Sequence, residues 1–217
     1  MIEEIQVRRK EVLYQNALMH RLQDTILFVD VGGQHVCNFG SRDKACLVSI
    51  NCSNNIMDYV IPEQTRIGHV HLKVADLERS LKFYRDLLGF QVMQYYGSSA
   101  VFISAGGYHH HIALNTWYSK NGSPPPPRST GLFHTAILYP TRKDLAVALK
   151  RLVVAGYPLT GASDHGVSHA LYMDDPDGNG VELYWDKPRE EWPIDEDGGI
   201  AIVTEPLDVN ELLRRAD

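Results

Sequence analysis

The chain repeats itself, and the repeat restricts its possible folds more than any other feature. The segments GHVHLKVADLERSLKFYRDLLGF (68–90) and FHTAILYPTRKDLAVALKRLVVAGY (133–157) follow one plan. Each starts with a histidine in a short β-like run, His69 or His134. A polar capping residue, Asp76 or Thr141, comes seven positions later. A helix-period run follows, ending in glycine plus an aromatic (Gly89-Phe90, Gly156-Tyr157). Leu77, Leu81, Tyr84 and Leu88 are spaced for one helical face, as are Leu145, Leu149 and Leu152. Asp76 suits an N-cap and Gly89 the position just past a C-cap. Thr141 and Asp144 form a capping box with Asp in place of Glu. Three β-rich runs follow each helix: FQVMQYY, SAVFIS and HHIALNTW, then PLTGAS, SHALYMDD and VELYWD. Each unit therefore reads β-α-β-β-β, and the fold class is α+β. One unit cannot bury both faces of its sheet. Two tandem βαβββ modules related by a pseudo-two-fold can close a curved mixed sheet around a central site, with corresponding residues of the two first strands facing each other.

This pattern sets the expected boundaries. The modules occupy 62–122 and 131–188, joined by a Pro-rich linker at 123–130 within NGSPPPPRST, where four prolines favour an extended chain. The DPDGNG turn, Asp175 to Gly180, suits a tight connection between the last two strands. The tail, 189–217, reads as an irregular segment, a short strand and a short helix. Residues 1–61 contain no proline and no motif. They are expected to be an N-terminal extension, with an amphipathic helix over 3–22 and short β-like pieces (TILFVDV, ACLVSI), and the working domain is expected to begin near Met57.

Composition narrows the function. Hydrophobic residues make up 44% and charged residues 22%, which supplies a core and argues against wholesale disorder. A net charge of -6 without a basic stripe argues against nucleic acid and anionic membrane as partners. No apolar run approaches the ~20 residues of a membrane span. The start, MIEEIQ, lacks the pattern of a signal peptide, so a cytoplasmic protein is expected. The three cysteines, Cys37, Cys46 and Cys52, read as ordinary reduced thiols. Histidine concentrates elsewhere, between His69 and His169, and imidazole is the commonest metal ligand and proton carrier.

A lone histidine on a strand is usually a hydrogen-bonded structural residue. Recurrence of His69 and His134 at the same place in both modules favours ligation instead. Glu182 on the last strand is the third candidate, since its neighbours Val181 and Leu183 point to the opposite face. Two imidazoles and one carboxylate form the facial triad of non-haem Fe(II) oxygenases, which leaves adjacent coordination positions open for substrate and O2. A structural zinc site would close all four positions, usually with thiolates, and these modules have none.

With these motifs the sequence resembles the vicinal oxygen chelate superfamily, which includes glyoxalase I, bleomycin and fosfomycin resistance proteins and extradiol dioxygenases. The resemblance covers roughly residues 62–206. LERSLKFYRDLLGF and DPDGNGVEL mark the superfamily, while YHHHIALN, DHGVS and ELYWD resemble the small catechol 2,3-dioxygenase-like proteins. It implies an extradiol ring-cleaving dioxygenase acting on a small aromatic diol and O2, with Fe(II), or Mn(II), held by His69, His134 and Glu182. It further implies His110 as acid/base, and His165 and Tyr172 as groups that hold or deprotonate a substrate hydroxyl. His109, His110 and His111 alternate faces, so a shift of one residue would change the candidate. His71 shares the strand face of His69 and is a rival ligand or a pocket residue. Assembly into a homo-oligomer through exposed sheet edges fits paired modules.

Two alternatives remain. One is another metal-dependent member, a glyoxalase-type isomerase or a thiol transferase. Glyoxalase I usually has a further glutamate ligand in the last strand of the first module, where this chain reads HHHIALN. The other is a metal-free, ligand-sequestering resistance protein, which needs no triad.

Overall fold

The computed structural model describes residues 59–216 and, as backbone, three strands nearer the N-terminus. The expected helix over 3–22 lies outside the described residues. The chain divides into two compact units, 1–66 and 67–217. In the first unit, β1 (Ile26–Val31), β2 (Gln34–Ser41) and β3 (Lys44–Ile50) form an antiparallel meander in that order. TILFVDV and ACLVSI supply its outer strands.

The second unit holds both modules. In the first, β4 (Val70–Lys73) leads into α1 (Leu77–Leu81), followed by β5 (Gln91–Tyr96), β6 (Ala100–Ser104) and β7 (Ile112–Asn115). In the second, β8 (His134–Leu138) leads into α2 (Arg142–Val154), then β9 (Gly161–Asp164), β10 (Ser168–Asp174) and β11 (Gly180–Asp186). The sheet orders are β4-β7-β6-β5 and β8-β11-β10-β9, so first and last strands pair in parallel in both modules. The fold is α+β, as the repeat implies. The modules carry two separate mixed sheets rather than one continuous curved sheet, because β4 and β8 each end a sheet instead of pairing. A 3₁₀ turn (Arg189–Glu191) follows, then β12 (Glu205–Pro206), which pairs with β9, and α3 (Val209–Arg214).

The caps fall where the sequence puts them. Asp76 accepts from the Arg79 amide at 2.8 Å and Thr141 from the Asp144 amide at 3.1 Å. Gly89 and Gly156 adopt φ of 93° and 65°, which only glycine takes at little cost. The first helix departs from its expected stripe. After Leu81 it widens into a π-helical stretch, Lys82–Leu87, in which the Leu88 amide bonds Phe83 O five residues back. The wider turn rotates the buried face, so Phe83 joins Leu81 and Tyr84 inside while Leu77 and Leu88 are only half-buried.

One hydrophobic core spans both modules, and polar bonds fix their relation. Asp177, in the DPDGNG turn of the second module, accepts from the Ala75 amide (2.9 Å), Ser80 Oγ (3.1 Å) and the Arg79 guanidinium of the first. The buried Asp175 accepts from Tyr84 Oη at 3.0 Å and from the Asp177 and Asn179 amides. In return, Arg151 on α2 donates to Leu87 O and Asp86 O, both at 2.8 Å, closing the far end of the first helix. The turn is therefore also the clamp between modules. Asp175→Ala would strand the buried Tyr84 hydroxyl and two turn amides. It should cost roughly 2–4 kcal/mol in urea unfolding, whereas Tyr84→Phe, which leaves Asp175 its turn partners, should cost less.

At the end of the core-facing side of the second sheet, against α2 and α3, lies a polar cluster. His169, 6% exposed, pairs with Asp164 through Nε2 and accepts from Arg142 Nε through Nδ1, each at 3.2 Å. Lys187 also bonds Asp164, and Arg142 reaches Glu211 on α3. Burial, then the Arg142 charge, hold the His169 pKa below its ordinary 6.5, with Lys187 acting the same way and Asp164 opposing. The unfolded chain therefore takes up this proton first as pH falls. The stability that follows is full above about pH 6.5 and declines below it. The thermal midpoint should fall on acidification from pH 7 to 5, with a shallower slope in His169→Gln.

Candidate active site

Register within the second sheet assembles the site. Glu182 on β11 stands between Tyr172 on β10 and Ala136 on β8, and His134 stands opposite Gly180 one row away. Val181 and Leu183 turn into the core, so Glu182 projects from the other face. Its Oε2 lies 2.9 Å from His134 Nε2, and its Oε1 accepts from Tyr172 Oη at 3.1 Å. Tyr172 Oη is 2.7 Å from His165 Nε2, and His165 Nδ1 is 2.7 Å from Val203 O in the tail. Residues from β8, β11, β10, the β9–β10 turn and the tail are thus joined in one polar chain.

The carbonyl of Val203 can only accept, so His165 carries a proton on Nδ1. Tyr172 then has one proton for two neighbours. That proton can go to Glu182 Oε1 or to His165 Nε2, but not to both. Burial, then the Glu182 charge, push the Tyr172 pKa up to about 12, so at neutral pH the phenol keeps its proton.

The His134–Glu182 spacing fits a shared cation. Two ligands at about 2.1 Å from one ion and at right angles to each other stand about 3 Å apart. His134 Nδ1 is buried and makes no hydrogen bond among the described residues, so Nε2 is its bonded nitrogen. His69 comes from the other module, just before β4. Its ring lies 4.3 Å from that of His110 and 6.4 Å from that of His109. Among the described residues, no three His, Cys, Asp or Glu side chains form a ready metal cluster. The structure therefore brings together His134, Glu182, Tyr172 and His165, and separately His69 and His110.

Of the three consecutive histidines, His110 stacks on His69 and Phe102, while His111 turns to Ser104 Oγ at 2.9 Å. His110 Nδ1 is 2.8 Å from His109 Nδ1, which leaves Nε2 for chemistry. Burial, then His69, hold the His110 pKa below its usual value. His71 lies against Trp117 and Phe102, which suits a pocket wall. Sequence reasoning passed over Val203, which acts through its carbonyl, and also Gly161 and Gly180. A Cβ at Gly180 would stand 2.1 Å from Phe133 O, so no side chain fits there and β8 can approach β11 closely. The alternation that places Glu182 on its face also places Gly180 there, and that was the available signal.

Paired βαβββ modules, each with its first and last strands side by side in parallel, define the class of fold to which this chain belongs. The chain belongs to the Glyoxalase/Bleomycin resistance protein/Dioxygenase superfamily, whose family model matches residues 66–183. It is 42% identical over 157 residues to a catechol-2,3-dioxygenase of Bacillus subtilis, covering 72% of this chain and 54% of that one. It is 35% identical over 121 residues to biphenyl-2,3-diol 1,2-dioxygenase 3 of Rhodococcus globerulus, covering 56% and 63%. A probable lactoylglutathione lyase of Vibrio parahaemolyticus is 28% identical over 131 residues, covering 56% and 91%. The chain thus spans about half the length of the catechol-2,3-dioxygenase it matches. Among the described residues, no helix is long and apolar enough to cross a membrane.

Proposed function

We propose that this protein is an extradiol dioxygenase that opens the ring of a catechol-type diol with O2, at an Fe(II) held by His69, His134 and Glu182. Mn(II) is the other candidate ion. The observation that carries the reading is the polar chain from Val203 through His165 and Tyr172 to Glu182 and His134. It puts two ligand-type groups at the spacing of neighbouring ligands and a proton relay directly beside them. The likeness to catechol and biphenyl-diol dioxygenases supports the same choice.

Held by His69, His134 and Glu182, such an ion would supply Lewis acidity toward a diol hydroxyl and the electron transfer that O2 activation requires. The protein supplies the rest. His165 and Tyr172 take up and hold the proton of a substrate hydroxyl, with Val203 O fixing the His165 tautomer. His110, whose Nε2 is free, delivers a proton on the oxygen side as the ring opens. Positioned acid/base groups of this kind typically contribute ~10²- to 10⁴-fold each.

The test is anaerobic reconstitution with Fe(II), then addition of O2 and a panel of catechols. Oxygen uptake matched by a yellow semialdehyde is the expected result. Isomerisation of a thiohemiacetal without oxygen uptake would favour the glyoxalase-type reading instead.

A further inference from the structure

The face that carries Glu182 has two places without a side chain, Gly180 on β11 and Gly161 on β9, on either side of β10. Across β8, β11 and β10 one row runs His134, Gly180, Asp174. The next runs Ala136, Glu182, Tyr172, ending on Gly161 in β9. A cavity of about 330 Å³ lies along these rows, with Gly180, Gly161, His134 and Tyr172 in its lining. Gly180 cannot be filled, because even a Cβ would overlap Phe133 O. A Cβ at Gly161 would meet Tyr172 at an ordinary 3.7 Å, so there the space is open by choice of residue rather than by necessity.

The remaining walls are Phe133, Thr160, Met173 and Val181, all uncharged. Asp174 completes the lining, two residues beyond Tyr172 and on the same face. Among the described lining residues there is no lysine or arginine. The cavity touches His134 and Tyr172, so it has room for the part of a diol not engaged by its hydroxyls.

We propose that this cavity receives the ring substituent of the diol and selects one that carries no negative charge, with Asp174 as the specificity-determining residue. The inference rests on the extradiol reading and names its substrate class. An alkyl or aryl substituent gains by leaving water against Phe133 and the mostly apolar lining. A carboxylate there loses hydration, finds no cation, and meets the Asp174 charge. Asp174 is exposed, so solvent screens that repulsion and the discrimination is a matter of tens rather than thousands.

The test compares kcat/KM for 4-methylcatechol and 3,4-dihydroxybenzoate in the Fe(II)-reconstituted full chain. The wild type should favour the methyl compound by about tenfold or more, and Asp174→Lys should narrow that ratio by about tenfold. Asp174→Asn, nearly the same shape, should narrow it by about threefold and decides the matter should the lysine variant fold poorly. Equal use of both diols by the wild type, or a ratio unmoved in the variants, overturns the proposal and leaves the extradiol reading standing. Failure to cleave any diol overturns that reading, and the substrate class falls with it.

Discussion

His134→Ala should leave the protein folded but unable to retain Fe(II) or Mn(II), and ring cleavage should fall to background. The residue opens an edge strand and is half-buried, and neither the core shared by the modules nor the Asp175–Asp177 clamp depends on it. The substitution removes a ring nitrogen that faces Glu182 at 2.9 Å. A carboxylate alone from this module holds a borderline divalent ion weakly, so affinity should drop by at least about 100-fold. Metal content after desalting, read beside circular dichroism, measures both halves of the expectation. Retained turnover with a catechol would reject the assignment.

His110→Phe should do the opposite, keeping the metal and losing the rate. Phenylalanine preserves the aromatic contacts with His69 at 4.3 Å and Phe102 at 5.0 Å and removes only the titratable nitrogens. Turnover should slow by ~10²- to 10⁴-fold, with Mn(II) affinity and the thermal midpoint near those of the wild type. An unchanged rate would move the acid/base role to another group, with His109, whose Nδ1 lies 2.8 Å from that of His110, the next to examine.

The parts of this molecule legible in the sequence are those written in local pattern. Asp76, Thr141, Gly89 and Gly156 mark both helices because capping and left-handed glycine are chemistry of a few neighbouring residues. The βαβββ order follows from alternation and turn residues. Glu182 could be placed on its face because Val181 and Leu183 are apolar on either side. What escaped depends on contacts between distant segments. The π-helical stretch after Leu81 leaves no mark in the hydrophobic spacing. The two separate sheets reflect the absence of pairing between β4 and β8, which no periodicity reports. The carbonyl of Val203 fixes the His165 tautomer through the backbone, so the identity of residue 203 carries no signal. The bare floor at Gly180 and Gly161 emerges only once the register across four strands is known.

The convergence of both modules on one ion is tested most directly through His69, which the structure places beside His110 rather than beside Glu182. Titration with Mn(II), followed by electron paramagnetic resonance, should give one site per chain in the wild type. The same titration of His69→Ala should lose that site as completely as His134→Ala does. A His69→Ala protein that binds Mn(II) with wild-type affinity would contradict a site shared between the modules.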